Sequence, residues 1–256
     1  MGKYDSRVKR IFNKIASSSD AFLITNLKNI KYLTGFTGSF AVALLTENGC
    51  YLLVDFRYFE QAKKEAHAEI VLFKETWLDT LMKLINEKKI KKLCFEVSCN
   101  YETFLKLSGN KEIQLIPQSH IVEHFRAIKE EEEIENIKEA VKRAEKAFLK
   151  IKPLIKEGIT ERVIAITLEY EIKQQGSDIL PFPVIVASGS NSSMPHWKNS
   201  DRTLKKGDFV IIDWGAEYRG YFSDMTRTFV IGEVSVRQKE IYNIVNKARN
   251  EAIISC

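Results

Sequence analysis

Four cysteines in 256 residues, Cys50, Cys94, Cys99 and Cys256, are too few and too unevenly placed for a disulfide framework. Long apolar runs are missing as well. Those present, such as residues 209–212, are strand-length, well short of the ~20 residues a membrane helix needs. The opening Met1-Gly2-Lys3-Tyr4-Asp5-Ser6-Arg7 lacks the apolar stretch of a signal peptide. It fits the loose Gly2-to-Ser6 myristoylation pattern, but no polybasic second anchor follows. The expectation is a protein of the reducing cytoplasm with no membrane partner. Basic residues are not clustered: 39 Lys and Arg against 34 Asp and Glu leave a formal charge of +5, scattered through helical stretches and turns. A nucleic-acid groove needs clustered cations beside stacking aromatics, so no nucleic-acid partner is expected. Gly35-x2-Gly38 lacks the Lys and helix context of a phosphate loop. No repeat or low-complexity segment is present.

What the chain has is an ordinary core-forming balance, 45% hydrophobic and 29% charged, at a length that suits one large domain or two ordinary ones. The pattern changes near Ala127, which suggests domains 1–126 and 127–256. In the first, residues 21–25, 40–45 and 92–97 read as buried strands, and residues 50–54 pair across a turn at 47–49. Helices are predicted over 58–68 and 78–87, so the domain is α/β with a mixed sheet. In the second, four acids at 130–133 open a helical pattern (Ile134, Ile137, Val141, Ala144, Phe148, Ile151) and read as its solvated first turn. A second helix runs from the cap Thr160 to near Gly176. It is followed by a β-rich stretch at 182–187, a loop at 188–197, a strand at 209–214 and an amphipathic helix at 236–254.

The informative stretch is residues 209–229, two extended runs flanking a polar turn that ends in Gly220. If Glu217 faces Gly220, then Asp213 faces Asp224 directly, and facing side chains lie ~4.5–5.5 Å apart at their β-carbons. Two carboxylates that close repel, and burial among Val210, Ile211, Ile212, Phe222 and Met225 adds a desolvation penalty. A shared proton, a basic partner or a divalent cation would compensate, and hard cations favour oxygen ligands. The other reading is a pair of surface aspartates, one bonded to Arg227.

Other constellations carry less. Cys94-x4-Cys99 with His120-x3-His124 superficially resembles a zinc site, but Cys94 lies in an apolar strand and the gap between pairs is long for a zinc finger. His67 reads as solvated. Arg57 and Tyr58 line a pocket or subunit contact, or Arg57 pairs with a carboxylate of its own domain. Trp197, next to His196, forms an apolar wall or packs in the core.

Asp213 and Asp224, separated by ten residues and followed by Thr226-Arg227-Thr228, resemble the metal-binding hairpin of the methionine aminopeptidase, prolidase and creatinase superfamily. Ser188-Gly189-Ser190-Asn191-Ser192-Ser193-Met194-Pro195-His196 looks like that family's histidine loop. The segments 29–39, 54–58 and 125–129 resemble the amino-terminal domain and junction of bacterial Xaa-Pro peptidases. The resemblance spans the chain from about residue 5 onward. It implies an α/β (α+β) creatinase-like amino-terminal domain followed by a partial pita-bread domain. The activity implied is an exopeptidase that cleaves before proline through a metal-bridging hydroxide. Asp213 and Asp224 match two metal ligands, and His196 matches a histidine that contacts substrate and steadies the developing charge. Trp197 would wall the proline. Also implied are two divalent ions (manganese or cobalt ahead of zinc or iron), a proline-containing peptide substrate and a homodimer. The family's remaining ligands, one His and two Glu, match nothing in this chain: no histidine follows Asp224, and Glu233, Glu240 and Glu251 sit in no matching motif. The chain alone is therefore expected to be inactive. A catalytically dead scaffold and a creatinase-like amidinohydrolase are the competing readings.

Overall fold

Strands buried on both faces need helices on both sides, and the first half of the chain meets that need. The computed structural model describes residues 2–255. These form two compact units, divided between residues 128 and 129. The first unit runs α1 (Lys3–Ile15), β1 (Ala21–Ile24), α2 (Leu27–Thr34), β2 (Val42–Thr46), β3 (Gly49–Val54), α3 (Phe59–Glu65) and β4 (Glu69–Leu72). It continues with α4 (Trp77–Glu87), β5 (Lys92–Glu96), α5 (Tyr101–Ser108), β6 (Gln114–Gln118) and α6 (Ile121–Ala127). The sheet order is β4-β3-β2-β1-β5-β6. β1 pairs antiparallel with β2 and parallel with β5, which makes the sheet mixed. Alternate side chains feed two cores. Phe22, Ile24, Leu45 and Leu52 pack with Val8, Ile11 and Ile15 of α1, while Leu23, Leu44 and Leu53 pack with Leu81 and Ile85 of α4. This two-sided burial produces the unbroken apolar runs of the central strands.

One expectation is corrected here. The helix expected over 58–68 is shorter, and the chain returns as edge strand β4. No group of three or more His, Cys, Asp or Glu that could hold a metal occurs among the described residues. Cys94 is fully buried and shares a 2.6 Å hydrogen bond with the Ser19 hydroxyl. Burial pushes the Cys50 thiol up to about 12, which removes it as a nucleophile at neutral pH. Arg57 pairs with Asp55 at 2.7 Å. No helix among the described residues is long and apolar enough to cross a membrane.

The second unit contains α7 (Glu131–Ile151), α8 (Glu161–Gln174), β7 (Ile185–Ser188), β8 (Phe209–Trp214), β9 (Glu217–Tyr218), β10 (Tyr221–Phe222), β11 (Met225–Val230) and α9 (Val236–Ile254). β8 lies between β7 and β11, antiparallel to both. Along β8 burial alternates strictly. Val210, Ile212 and Trp214 face the helices, where they meet Ala144, Phe148, Ile164 and Leu168, while Phe209, Ile211 and Asp213 face the other way, half-buried. Trp214 fixes the layer: it stacks on Phe148 at 4.5 Å and its indole N–H donates to the Ala144 carbonyl at 3.0 Å. Phe148 also stacks on Phe229 of β11.

The acidic start of α7 is not wholly solvated. Glu133 is buried, accepts the Glu130 amide in a capping box, and accepts the Tyr221 hydroxyl at 2.8 Å. The helix α9, expected to be amphipathic, has no buried residue.

Candidate metal and substrate site

The hairpin forms, but in a register displaced by two residues from the expected one. Tyr218 pairs with Tyr221, and Phe222 with Glu217, so the turn residues are Arg219 and Gly220. Both have positive φ, 50° and 79°. A two-residue type I′ turn needs positive φ at both central positions, and Gly meets that need at no steric cost. The glycine therefore belongs inside the turn, and the facing of Glu217 with Gly220 is corrected. In the observed register Asp213 faces Thr226 directly, not Asp224.

The displacement by two, rather than one, keeps both aspartates on one face, because side chains alternate with a period of two. Asp224 is the diagonal neighbour of Asp213, and diagonal pairs stay within reach of longer side chains and metal ions. Counting along the ladder sets Gly215 opposite Asp224. A β-carbon at Gly215 would lie 2.1 Å from the Ser223 carbonyl oxygen, so only glycine permits this approach.

The two carboxyls differ in environment. Asp213 is half-buried and its Oδ1 accepts the Thr226 hydroxyl at 2.7 Å; Asp224 is exposed. Burial pushes the Asp213 carboxyl above the usual carboxylate range. The Thr226 hydrogen bond pulls it back, the Asp224 charge pushes it further up, and His196 draws it down. Asp213, Asp224 and His196 are thus electrostatic neighbours. Thr226 was legible only as part of a motif; its role as the partner of Asp213 follows from the observed register.

His196 is exposed at the end of a loop that begins where β7 ends and includes a 3₁₀ turn over Gly189–Ser193. Trp197 is half-buried, and its indole N–H donates to Glu161 at 2.8 Å, so only its ring remains available for an apolar contact. Glu161 went unnoticed in the sequence, where it is one acid in the first turn of a helix. Burial would raise its pKa, but hydrogen bonds from Ser200, Asn191, Ser188 and Trp197 outweigh burial and hold it at about 2. The unfolded value is about 4.3, so this carboxylate contributes stability above that pH and loses it as pH falls towards 2. Urea midpoints should therefore drop between about pH 4.3 and 2, and the drop should be smaller in Glu161→Gln.

The donor set suits a hard divalent cation in part. Asp213 has one oxygen engaged by Thr226, and Asp224 projects from the same face. Two carboxylates and a neighbouring imidazole, however, fall short of the six or so ligands that such ions take from protein and water.

Two family models match the chain, the creatinase/prolidase N-terminal domain over residues 7–128 and metallopeptidase family M24 over residues 135–256. The chain is 39% identical over 246 residues to the Bacillus subtilis protein named uncharacterized peptidase YqhT, covering 95% of this chain and 69% of that one. It is 35% identical over 258 residues to the Xaa-Pro dipeptidase of Pyrococcus horikoshii, covering 98% and 71%. Among solved structures, an Xaa-Pro dipeptidase from Bacillus anthracis superposes with a TM-score of 0.89 at 38% identity, covering 96% of this chain and 69% of that one. The prolidase from Pyrococcus horikoshii superposes with a TM-score of 0.88 at 35% identity, covering 96% and 71%. A creatinase-type domain, the open face of the β8 sheet with its two aspartates, and these likenesses agree: the chain belongs to metallopeptidase family M24, the enzymes of the prolidase type and pita-bread fold.

Proposed function

We propose that this chain supplies the first part of an active site that hydrolyses the peptide bond before proline, in dipeptides or at peptide amino termini. The observation that carries the reading is the placement of Asp213 and Asp224 on one face of the β8–β11 hairpin, with His196 close enough to shift the Asp213 carboxyl. Support for the substrate comes from relatives named Xaa-Pro dipeptidase. In this reading the boundary near Ala127 separates a creatinase-like amino-terminal domain from the catalytic one.

Asp213 and Asp224 would hold divalent ions, two of them, with manganese or cobalt preferred. Bound there, such an ion would polarise the scissile carbonyl and lower the pKa of a water. Thr226 fixes the Asp213 carboxylate so that its free oxygen points to one position. His196 would donate a hydrogen bond to the oxygen that gains charge as the carbonyl is attacked, a bond that strengthens during the reaction. The Trp197 ring, oriented by its bond to Glu161, would pack against proline. Homodimerisation and a cytoplasmic setting belong to the same proposal.

The test is an Xaa-Pro dipeptide assay with titrated Mn2+ or Co2+, on this chain and on any longer reading frame that contains it. The chain alone should bind the metal weakly and turn over nothing, and the longer protein should cleave. If the metal-loaded longer protein leaves Xaa-Pro bonds intact, the substrate assignment is wrong. The lack of a third metal-holding side chain among the described residues favours one second reading, a binding module that keeps the fold without the chemistry. Micromolar Mn2+ affinity in calorimetry on this chain would overturn that second reading.

A further inference from the structure

Glu161 is fully buried, and every lone pair of its carboxylate is directed at one loop. Its Oε1 accepts the Ser188 amide at 2.8 Å, the Ser188 hydroxyl at 2.7 Å and the Asn191 side-chain amide at 2.9 Å. Its Oε2 accepts the Trp197 indole N–H at 2.8 Å, the Ser200 amide at 3.1 Å and the Ser200 hydroxyl at 2.6 Å. One oxygen therefore ties down the entry to the 188–200 loop and the other its exit. We propose that Glu161 is a positioning residue for His196: it sets the place of the imidazole through these two ends of the loop. The proposal rests on the reading of His196 as the substrate-facing group.

The loop has no core of its own. Residues 193–196 are exposed, so no apolar burial fixes the imidazole. What orders them is a chain of bonds that begins at Glu161. Asn191, held by Oε1, accepts the Met194 amide through its carbonyl at 3.0 Å, and the Met194 carbonyl accepts the Trp197 amide at 3.2 Å. Trp197 is itself held by Oε2, one residue beyond His196. The carboxylate sits in the first turn of α8, next to the cap Thr160, where the helix N-terminus favours negative charge. The helix amides join the tether: Glu161 N donates to the Arg202 carbonyl at 3.1 Å and Arg162 N to the Ser200 carbonyl at 3.0 Å.

The same network reaches the metal strand. The Ser188 hydroxyl accepts from Arg202 Nη1 at 2.7 Å, and Arg202 clamps Asp208 through two bonds of 2.6 and 2.9 Å. Asp208 immediately precedes β8, the strand of Asp213. The relay Glu161–Ser188–Arg202–Asp208 thus fixes the histidine loop and the aspartate strand against a common reference. A well-packed apolar cluster could stabilise this region as well as a buried charge does; what a multiply bonded carboxylate adds is a single geometry.

The sharpest test is Glu161→Gln, which keeps shape but turns an NH2 group towards three of the six donors. In the variant, amides of 189–199 should lose hydrogen-exchange protection, and the His196 ring resonances should broaden or shift. Where the full active site hydrolyses an Xaa-Pro dipeptide, kcat should fall about 100-fold with KM nearly unchanged, the scale on which a misplaced group costs rate. Glu161→Asp should recover part of both readouts. A Glu161→Gln protein that melts cooperatively yet keeps wild-type loop protection and His196 signals overturns the proposal. If Glu161→Gln does not fold, Ser200→Ala, which removes one bond to Oε2, decides by the same measurements. Should the wild type hydrolyse no Xaa-Pro bond, the functional reading fails, while the loop-order measurements still decide the role of Glu161.

Discussion

Replacing Asp213 by Asn is expected to have opposite effects on the metal-free and metal-loaded protein. Without metal, the ionised Asp213 carboxyl is held half-buried near the Asp224 charge, and its pKa lies above the ordinary range. A raised carboxyl pKa means that the protonated form favours the fold. That advantage is complete below the unfolded value of about 3.9 and is lost as pH rises through the folded one. Asparagine keeps the shape without the charge. The variant should therefore unfold at a higher urea concentration than wild type at neutral pH, and the difference should vanish below about pH 4. In a longer protein that contains the complete site, metal-supported hydrolysis, in contrast, should fall by more than the ~100-fold that loss of a group supporting a ligand costs. Thr226→Val, which removes only the hydroxyl that orients Asp213, should lose ~10- to 100-fold in metal affinity or activity. Equal stability of the Asn variant and wild type at pH 7 would show that the Asp213 environment is not strained in the metal-free fold.

Trp214→Ala should give the largest loss of stability of any single change in the second unit. The indole is almost fully buried, stacks on Phe148 and donates to Ala144. Its removal leaves a cavity where α7, β8 and β11 meet, and such truncations cost ~3–5 kcal/mol. Against a typical total of ~5–15 kcal/mol, that is a large share. Trp214→Phe keeps a ring and loses mainly the hydrogen bond, about 1 kcal/mol. Denaturant titrations that gave both variants the same midpoint would contradict this account. Because Trp214 and Asp213 are consecutive on β8, the Ala variant should also weaken metal binding.

The elements legible in the sequence were those whose own side chains carry the signal. β1, β2, β3 and β5 are central strands, buried on both faces, and read as apolar runs. The edges of the same sheet did not: β4 is short and half-exposed, and β6 contains Pro117, which an edge tolerates. The short helices α2, α5 and α6 span two turns or so, too little to establish a periodicity. α1 carries a legible signal, with Val8, Ile11 and Ile15 at helical spacing.

For the site, the sequence by itself determined which residues are proposed to carry the chemistry and that a hairpin joins the two aspartates. The extended runs and the Gly-containing turn are local features, and the face shared by Asp213 and Asp224 depends only on parity along the strands. Tertiary structure decided the register, because the positive φ at Arg219 and Gly220 fixes which residues form the turn. It also decided the surroundings of Glu161, whose six donors come from four residues 27 to 39 positions away along the chain. A buried carboxylate is tolerable only where several donors converge, and that convergence exists only once the loop has folded back onto the start of α8.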